Sequence, residues 1–501
     1  MTPLNRIFLT GCALLSAVVL RAAAADPVAI SIATREPGAA IAPDFSGLSY
    51  ETSRMLPDDK DAHYFRPDNL PLLATFRTLG VKNLRIGGNS VDASLIAIPS
   101  EADVRSFFDF AKAAGVKVIY SVRLHSGDPA AAGRVARLIR DNYADVLESF
   151  SIGNEPDYYK DYDVYRARWT SIRDAIVAEF PGAKFCGPDQ NPPDARSLLP
   201  GAAQNLYQNL VRDFANESGR LTQVTLHSYP FGCSYRNPRD GTEDVLKLIP
   251  ADAAESREKM LSPSAYGLYE KIRQATTASI AGAPVSLRLT ETNSYWYSGL
   301  KGASDSYAAA LWAVDYLHWW ATHGAVGVNF HTGDKTGGSI MLPCRYAAFV
   351  TSGAGYEVRP LGYGMKLFSL GGQGRSLPVS VASAATPHIA AYATLVDEAT
   401  VTITLINKEH GAAAAAQSVL LKLDTAIGAE AQIITLATPD HDIAASAASV
   451  TLGGAPIEKD GTWRGQWTAL PVSPVNNREI AVTLSPASAA VIKAKLVRPS
   501  R

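Results

Sequence analysis

Along residues 45–331, short apolar runs alternate with longer segments whose apolar positions recur at helical spacing. The runs lie at 45–51, 81–86, 116–122, 147–152, 183–186, 223–230, 284–290 and 325–331, and polar or turn residues close most of them. Between them, Ser100 with Asp103 nearby reads as a helix start, and Val104, Phe107, Phe108 and Ala111 share one face before Gly115 stops it. Further helices are expected before Leu79, over 130–143, 162–180, 206–216 and 306–323, and in one stretch from about 255 to 279. Eight strands alternating with helices predict an α/β fold, a (β/α)8 TIM barrel. The competing architecture is a doubly wound open sheet, which rarely needs eight such units and carries a glycine fingerprint that this chain lacks.

Beyond residue 363 the texture changes. Short alternating runs at 389–395, 400–406, 418–423, 479–484 and 490–497 are separated by Asn, Gly and Asp turns, which predicts a β-sandwich. The alternating run at 28–33 has no strand of its own to pair with, and is expected to join that sandwich across the chain termini. The expected division is 1–25 as a signal peptide, 26–44 as the N-terminal strand joining the sandwich, 45–362 as the barrel and 363–501 as the sandwich.

The signal peptide rests on Arg6, an apolar run over 7–20, and small residues up to Ala25. The Leu9-Thr10-Gly11-Cys12 stretch has a superficial lipoprotein look, but most of the apolar run follows Cys12, so cleavage near Ala25 is favoured. No other run is long enough to span a bilayer, so the mature protein is expected to be secreted or periplasmic. Export permits disulfides, yet only Cys186, Cys233 and Cys344 then remain, enough for one bridge whose members the sequence does not name. With 47 basic and 48 acidic residues there is no electrostatic footprint for nucleic acid. No zinc-site spacing or phosphate loop occurs, so neither a metal nor a cofactor is expected; oligomeric state is not readable.

In a (β/α)8 barrel the chemistry sits at the C-terminal ends of the strands. Those ends present Glu51, Asn89 with Ser90, Arg123 with His125, Asn154 with Glu155, His227 with Tyr229, Glu291 with Asn293, and His331. The fourth strand stops abruptly at Asn154-Glu155-Pro156, and Glu291 ends the seventh, across the barrel mouth. Paired carboxylates without metal ligands fit glycoside hydrolysis, one donating a proton to the leaving oxygen and the other attacking the anomeric carbon or activating water. Spacing along the chain does not give the distance that separates retaining from inverting chemistry.

Gly47-Leu48-Ser49-Tyr50-Glu51, Leu84-Arg85-Ile86-Gly87-Gly88, Gly153-Asn154-Glu155-Pro156, His227-Ser228-Tyr229, Thr290-Glu291-Thr292 and Gly327-Val328-Asn329-Phe330-His331 together resemble glycoside hydrolase family 79. This is the clan A family of β-glucuronidases and heparanases. The resemblance spans the barrel, and a sandwich built from both termini is also that family's arrangement. It implies a retaining exo-β-glucuronidase with Glu155 as acid/base and Glu291 as nucleophile. It further implies that Asn154 bonds the sugar 2-hydroxyl, Glu51 holds distal hydroxyls and Tyr229 steadies the nucleophile. Asn89, Tyr295 and Tyr346 complete the expected substrate-binding set. Tyr295, Trp296 and Tyr297 form either a sugar-stacking platform or core packing. His227 reads as a core histidine, and Arg85 as the partner of a strand-end carboxylate.

The expected partner is a glycan or glycoconjugate carrying β-linked glucuronic acid, whose carboxylate needs donors. Tyr346, Lys335 and Arg345 after the last barrel strand are candidates, although 332–338 departs from the family pattern. The 232–254 insertion, with Arg236, Arg239 and Lys247, is either a solvated loop or part of the cleft. An endo-acting heparanase-like enzyme, an exo-glycosidase for a neutral sugar and a non-catalytic carbohydrate-binding protein are the alternatives.

Overall fold

The computed structural model describes residues 26–156, 159, 161–192, 209, 213, 220–236, 249–336, 342–382, 388–472 and 476–497. The proposed signal peptide, the helix expected at 206–216 (but for Asn209 and Asp213), and Arg239 and Lys247 of the insertion lie outside these residues.

After the N-terminal strand β1 (Val28–Ile32) come eight barrel strands: β2 (Ser46–Glu51), β3 (Asn83–Gly87), β4 (Lys117–Val122), β5 (Leu147–Ile152), β6 (Phe185–Gln190), β7 (Leu221–Ser228), β8 (Ser286–Thr292) and β9 (Ala325–His331). Each pairs in parallel with its neighbours, and β9 returns to β2 to close the barrel. The chain is therefore a (β/α)8 barrel, not an open sheet.

Its helices are α1 (Leu70–Leu79), α2 (Glu101–Ala114), α3 (Pro129–Tyr143), α4 (Tyr162–Glu179), α5 (Ala253–Leu261), α6 (Ala265–Ser279), α7 (Tyr307–Thr322) and α8 (Pro360–Gly371). Helix α2 starts at a capping box in which the Asp103 N–H donates to Ser100 Oγ and the Ser100 N–H donates to Asp103 Oδ2, at 3.3 and 2.7 Å. It stops at Gly115 with φ +71°. The single helix expected over 255–279 is two, because Pro263 cannot continue a ladder and the chain turns at Ser262. Helix α8 runs across residue 363, where the change of texture had placed the domain boundary.

The barrel interior is unusually polar for a packed core. At its lower end the buried Arg288 donates to Asp44 Oδ2 at 2.5 Å and to Asn329 Oδ1 at 3.2 Å, with Glu148 at 3.6 Å. At its upper end sits Arg85, fully buried. The Gly-Gly after it serves that arginine. A Cβ on Gly87 would lie 2.7 Å from the Arg85 guanidinium carbon, and Gly88, at φ +66°, would press a side chain into the Glu51 carboxylate.

The C-terminal part is two antiparallel-rich sheets around a second apolar core. Strand β1 inserts into the smaller one, parallel to Gln417–Leu423 and antiparallel to Val379–Val381. The sandwich is tied to the barrel by a buried cluster in which Lys408 Nζ and the Tyr266 and Tyr392 hydroxyls all donate to Asp315 of α7, at 2.7–3.0 Å. Among the described residues, no helix is long and apolar enough to cross a membrane.

Alternation along β1 leaves Ile30 buried and Ser31 exposed. Ile30→Ala should therefore cost about 2–5 kcal/mol in urea unfolding, while Ser31→Ala should stay within about 0.5 kcal/mol. Equal effects at both positions would contradict the pairing of β1 with the sandwich.

Candidate active site

The buried Arg85 guanidinium gathers the upper barrel around itself. It donates to Glu291 Oε2 and Asn154 Oδ1 at 2.7 Å, to Asp189 Oδ2 at 2.9 Å and to Ser49 Oγ at 3.1 Å. These partners come from or just beyond β8, β5, β6 and β2, so the closed barrel is what brings them to one point.

Glu291 is buried, with its second oxygen, Oε1, accepting from the Tyr229 hydroxyl at 2.8 Å. Two imidazoles flank it: His331 Nδ1 lies 3.8 Å and His227 Nδ1 4.0 Å from Oε2. Burial alone would raise its pKa, but His331, His227, Arg85 and the Tyr229 hydroxyl outweigh that and hold it well below the ordinary carboxylate range. Glu291 is an anion held ready by donors.

Glu155 differs. It follows β5 with a left-handed backbone, φ +43°, and its N–H donates to the Asp189 carbonyl at 2.8 Å. Its carboxylate is about a quarter exposed and meets His227 Nδ1 at 3.0 Å. Glu155, His227 and Glu291 each offer an atom within 4.8 Å of the others. That spacing could hold a cation, but Arg85 and Tyr229 already occupy both Glu291 oxygens. Two carboxylates this close, one ion-paired and one on an imidazole, are suited to proton transfer and nucleophilic attack in one pocket.

Around the pair, Asn154 Nδ2 donates to the exposed Asn89 at 3.0 Å, leaving one amide hydrogen of Asn154 for another acceptor. Glu51 Oε2 accepts from the Ser90 N–H at 2.8 Å, and its Oε1 lies 3.7 Å from His331 Nε2. Tyr346 is buried with its ring 6.1 Å from Tyr229 and 6.2 Å from His331. So Glu51, Asn89, Asn154, Tyr229 and Tyr346 gather with the two carboxylates. Tyr295 does not: it packs in the core against Phe231, its hydroxyl 3.4 Å from the Ser256 carbonyl. The next two residues fare otherwise, with Trp296 stacked on Tyr297 at 4.6 Å and partly exposed. Neighbouring aromatics on a loop point to opposite sides, so one packs and another faces outward.

Two residues carry more of this site than the sequence suggests. His227 is not merely a core histidine, since its Nδ1 meets Glu155 and its Nε2 lies 3.8 Å from Asp189. Asp189 lies past the apolar run at 183–186, on a strand that continues through Gly187-Pro188 to Gln190, so no apolar period marks it.

No family model matches the sequence, and no curated protein matches it. Solved structures do share the architecture. A 4-O-α-L-rhamnosyl-β-D-glucuronidase from Fusarium oxysporum 12S superposes with a TM-score of 0.66 at 17% identity, covering 91% of this chain and 97% of its own. An α-L-arabinofuranosidase from Thermotoga maritima gives 0.64 at 15%, covering 94% and 100%. A monomeric β-xylosidase from Caulobacter crescentus CB15 gives 0.61 at 14%, also covering 94% and 100%. At such identities the likeness establishes the fold.

His331 is held above the ordinary imidazole range, because Glu291 and Glu51 outweigh its burial. A raised imidazole stabilises the fold fully below about pH 6.5 and loses that contribution as pH climbs through its folded value. The depressed Glu291 has the opposite sign, losing its contribution as pH falls below about 4.3 toward its folded value. His331→Gln should therefore flatten the decline of the urea midpoint as pH rises above about 6.5. A variant that declines as steeply as the parent would contradict this charge on His331.

Proposed function

We propose that this protein is a secreted retaining glycoside hydrolase, and in particular an exo-β-glucuronidase that works through a covalent glycosyl-enzyme. The observation that carries the hydrolase reading is the carboxylate pair: Glu155 and Glu291 at facing strand ends, with oxygens within 4.8 Å. Retaining glycosidases place the two groups about 5–5.5 Å apart, whereas inverting ones leave about 6.5–9.5 Å for a water. That the fold is shared by glycosidases of several specificities supports the class.

In this reading Glu291, anionic and fixed by Arg85 and Tyr229, attacks the anomeric carbon while Glu155 protonates the leaving oxygen. Glu155, now a carboxylate, then takes a proton from the water that releases the sugar. His227 Nδ1, 3.0 Å from Glu155 Oε1, orients that carboxyl group. The free amide hydrogen of Asn154 serves the 2-hydroxyl, a bond that strengthens as positive charge builds on the ring. Glu51 receives more distant hydroxyls, and Tyr346 walls the pocket behind them.

Glucuronate as the sugar rests on the family resemblance and on the named activity of the Fusarium neighbour. One observation favours a second reading, a neutral-sugar exo-glycosidase. Arginines at this end of the barrel are already engaged: Arg85 with Glu291 and Asp189, Arg54 with Asp334 at 2.6 Å, Arg345 with Asp305 at 3.9 Å, and Arg123 with the Val91, Ala93 and Ile96 carbonyls. A uronate would then depend on Lys335, tyrosine hydroxyls and backbone N–H groups.

A panel of aryl β-glucuronide, β-glucoside, β-xyloside and α-arabinofuranoside decides between them. A clear glucuronide preference is expected, and its absence would transfer the proposal to the neutral sugar that is turned over. Glu291→Ala should cut turnover of every substrate by about 10⁴-fold or more. Glu155→Ala should spare the first step for good leaving groups and, with azide, yield a β-glycosyl azide. An α-azide from that variant would overturn the retaining assignment.

A further inference from the structure

Arg85 has two carboxylate partners where the proposed chemistry uses one, and the second, Asp189, touches neither the exposed cleft nor solvent. We propose that Asp189 is a positioning residue that keeps the buried Arg85 guanidinium paired while Glu291 is esterified, and thereby sets how readily the glycosyl-enzyme forms. The proposal rests on the reading of Glu291 as the nucleophile.

The argument follows the charges through the first step. A carboxylate oxygen of Glu291 bonds to the anomeric carbon as the glycosidic C–O bond breaks, and the proton on Glu155 passes to the leaving oxygen. The negative charge of Glu291 is lost to the ester and reappears on Glu155. Arg85 donates to Glu291, Asn154, Ser49 and Asp189, and of these only Asp189 still carries a charge once the ester exists. Arg85 Nε is also buried without a hydrogen-bond partner among the described residues, so the guanidinium has no reserve acceptor there. A fully buried cation deprived of its only anion is destabilised severely, far more than a surface charge would be.

Asp189 is built to remain an anion. Its Oδ1 accepts from Thr290 Oγ1 at 2.6 Å, and its Oδ2 accepts from Ser151 Oγ at 2.7 Å as well as from Arg85. Burial would raise its pKa, yet Arg85 and His227 lead the interactions that hold it below the ordinary range. Its backbone is left-handed, φ +53°, with the N–H on Thr225 Oγ1 at 2.8 Å and the carbonyl on the Glu155 N–H at 2.8 Å. One residue thus anchors the guanidinium behind the nucleophile and the backbone beneath the proton donor. Sharing the guanidinium also leaves Glu291 less than fully neutralised, which keeps its oxygen nucleophilic.

The test separates the two chemical steps. A 2-deoxy-2-fluoro aryl glycoside of the sugar the parent turns over is used to measure the rate of trapping and, after its removal, the rate of reactivation. In Asp189→Asn, trapping should slow by about 100-fold while reactivation is not slowed, because only the state with an unpaired Arg85 has been raised. Melting curves confirm that the variant is folded. Equal slowing of both steps, which a loosened site would give, overturns the proposal, as does no change in either. Should Asp189→Asn not fold, Ser151→Ala removes one donor from the same carboxylate. It should slow trapping by about threefold without slowing reactivation, and equal slowing or no change would again overturn the proposal. Peptide mapping that finds the parent labelled elsewhere than at Glu291 overturns the reading of the site itself, and this inference with it.

Discussion

A guanidinium with no exposure to water stands at the centre of this molecule. Burying a cation is costly unless it is paired, and Arg85 meets an acid from β8, another from β6, an amide beyond β5 and a hydroxyl on β2. Only a closed barrel brings four such strand ends within reach of one side chain. The Gly87-Gly88 pair is the local consequence: any larger residue there would displace the guanidinium or the Glu51 carboxylate.

Chemistry sits on this rigid base. Glu291 is locked by donors on both oxygens, while Glu155, on a strained left-handed residue, reaches the same pocket from the opposite side and shares an imidazole. One acid is thereby buried and held ionised, while the other is partly exposed beside an imidazole. The sandwich contributes stiffness from behind: Asp315 on α7 is held by Lys408 and Tyr392 beyond the barrel, so a helix that backs the barrel wall is pinned from outside. Solved structures sharing this architecture are named for different sugars, a glucuronide, an arabinofuranoside and a xyloside, so the architecture by itself does not choose one.

Much of this was legible along the chain. Apolar runs and helical faces suffice for eight strands, because alternate strand residues such as Leu84 and Ile86 join the apolar core even where their neighbours Asn83 and Arg85 are polar. The termini-built sandwich was legible too, since an isolated alternating strand must pair somewhere. Boundaries blurred where the period failed or misled: no apolar period marks the end of β6 beyond Gly187-Pro188, and the continuous helical period over 255–279 hid the break at Pro263.

By itself the sequence determined most of the side chains that stand at strand ends, Glu155 and Glu291 among them, because strand position is largely a local matter of period and turn. What only the tertiary structure decided is which of them share an imidazole or a cation. Asp189 and Arg85 are 104 residues apart, and nothing local marks them as partners. Nor could periodicity tell that His227 meets Glu155 while Tyr295 turns into the core, for a side chain's partner depends on barrel closure and loop direction, which arise only when distant strands meet.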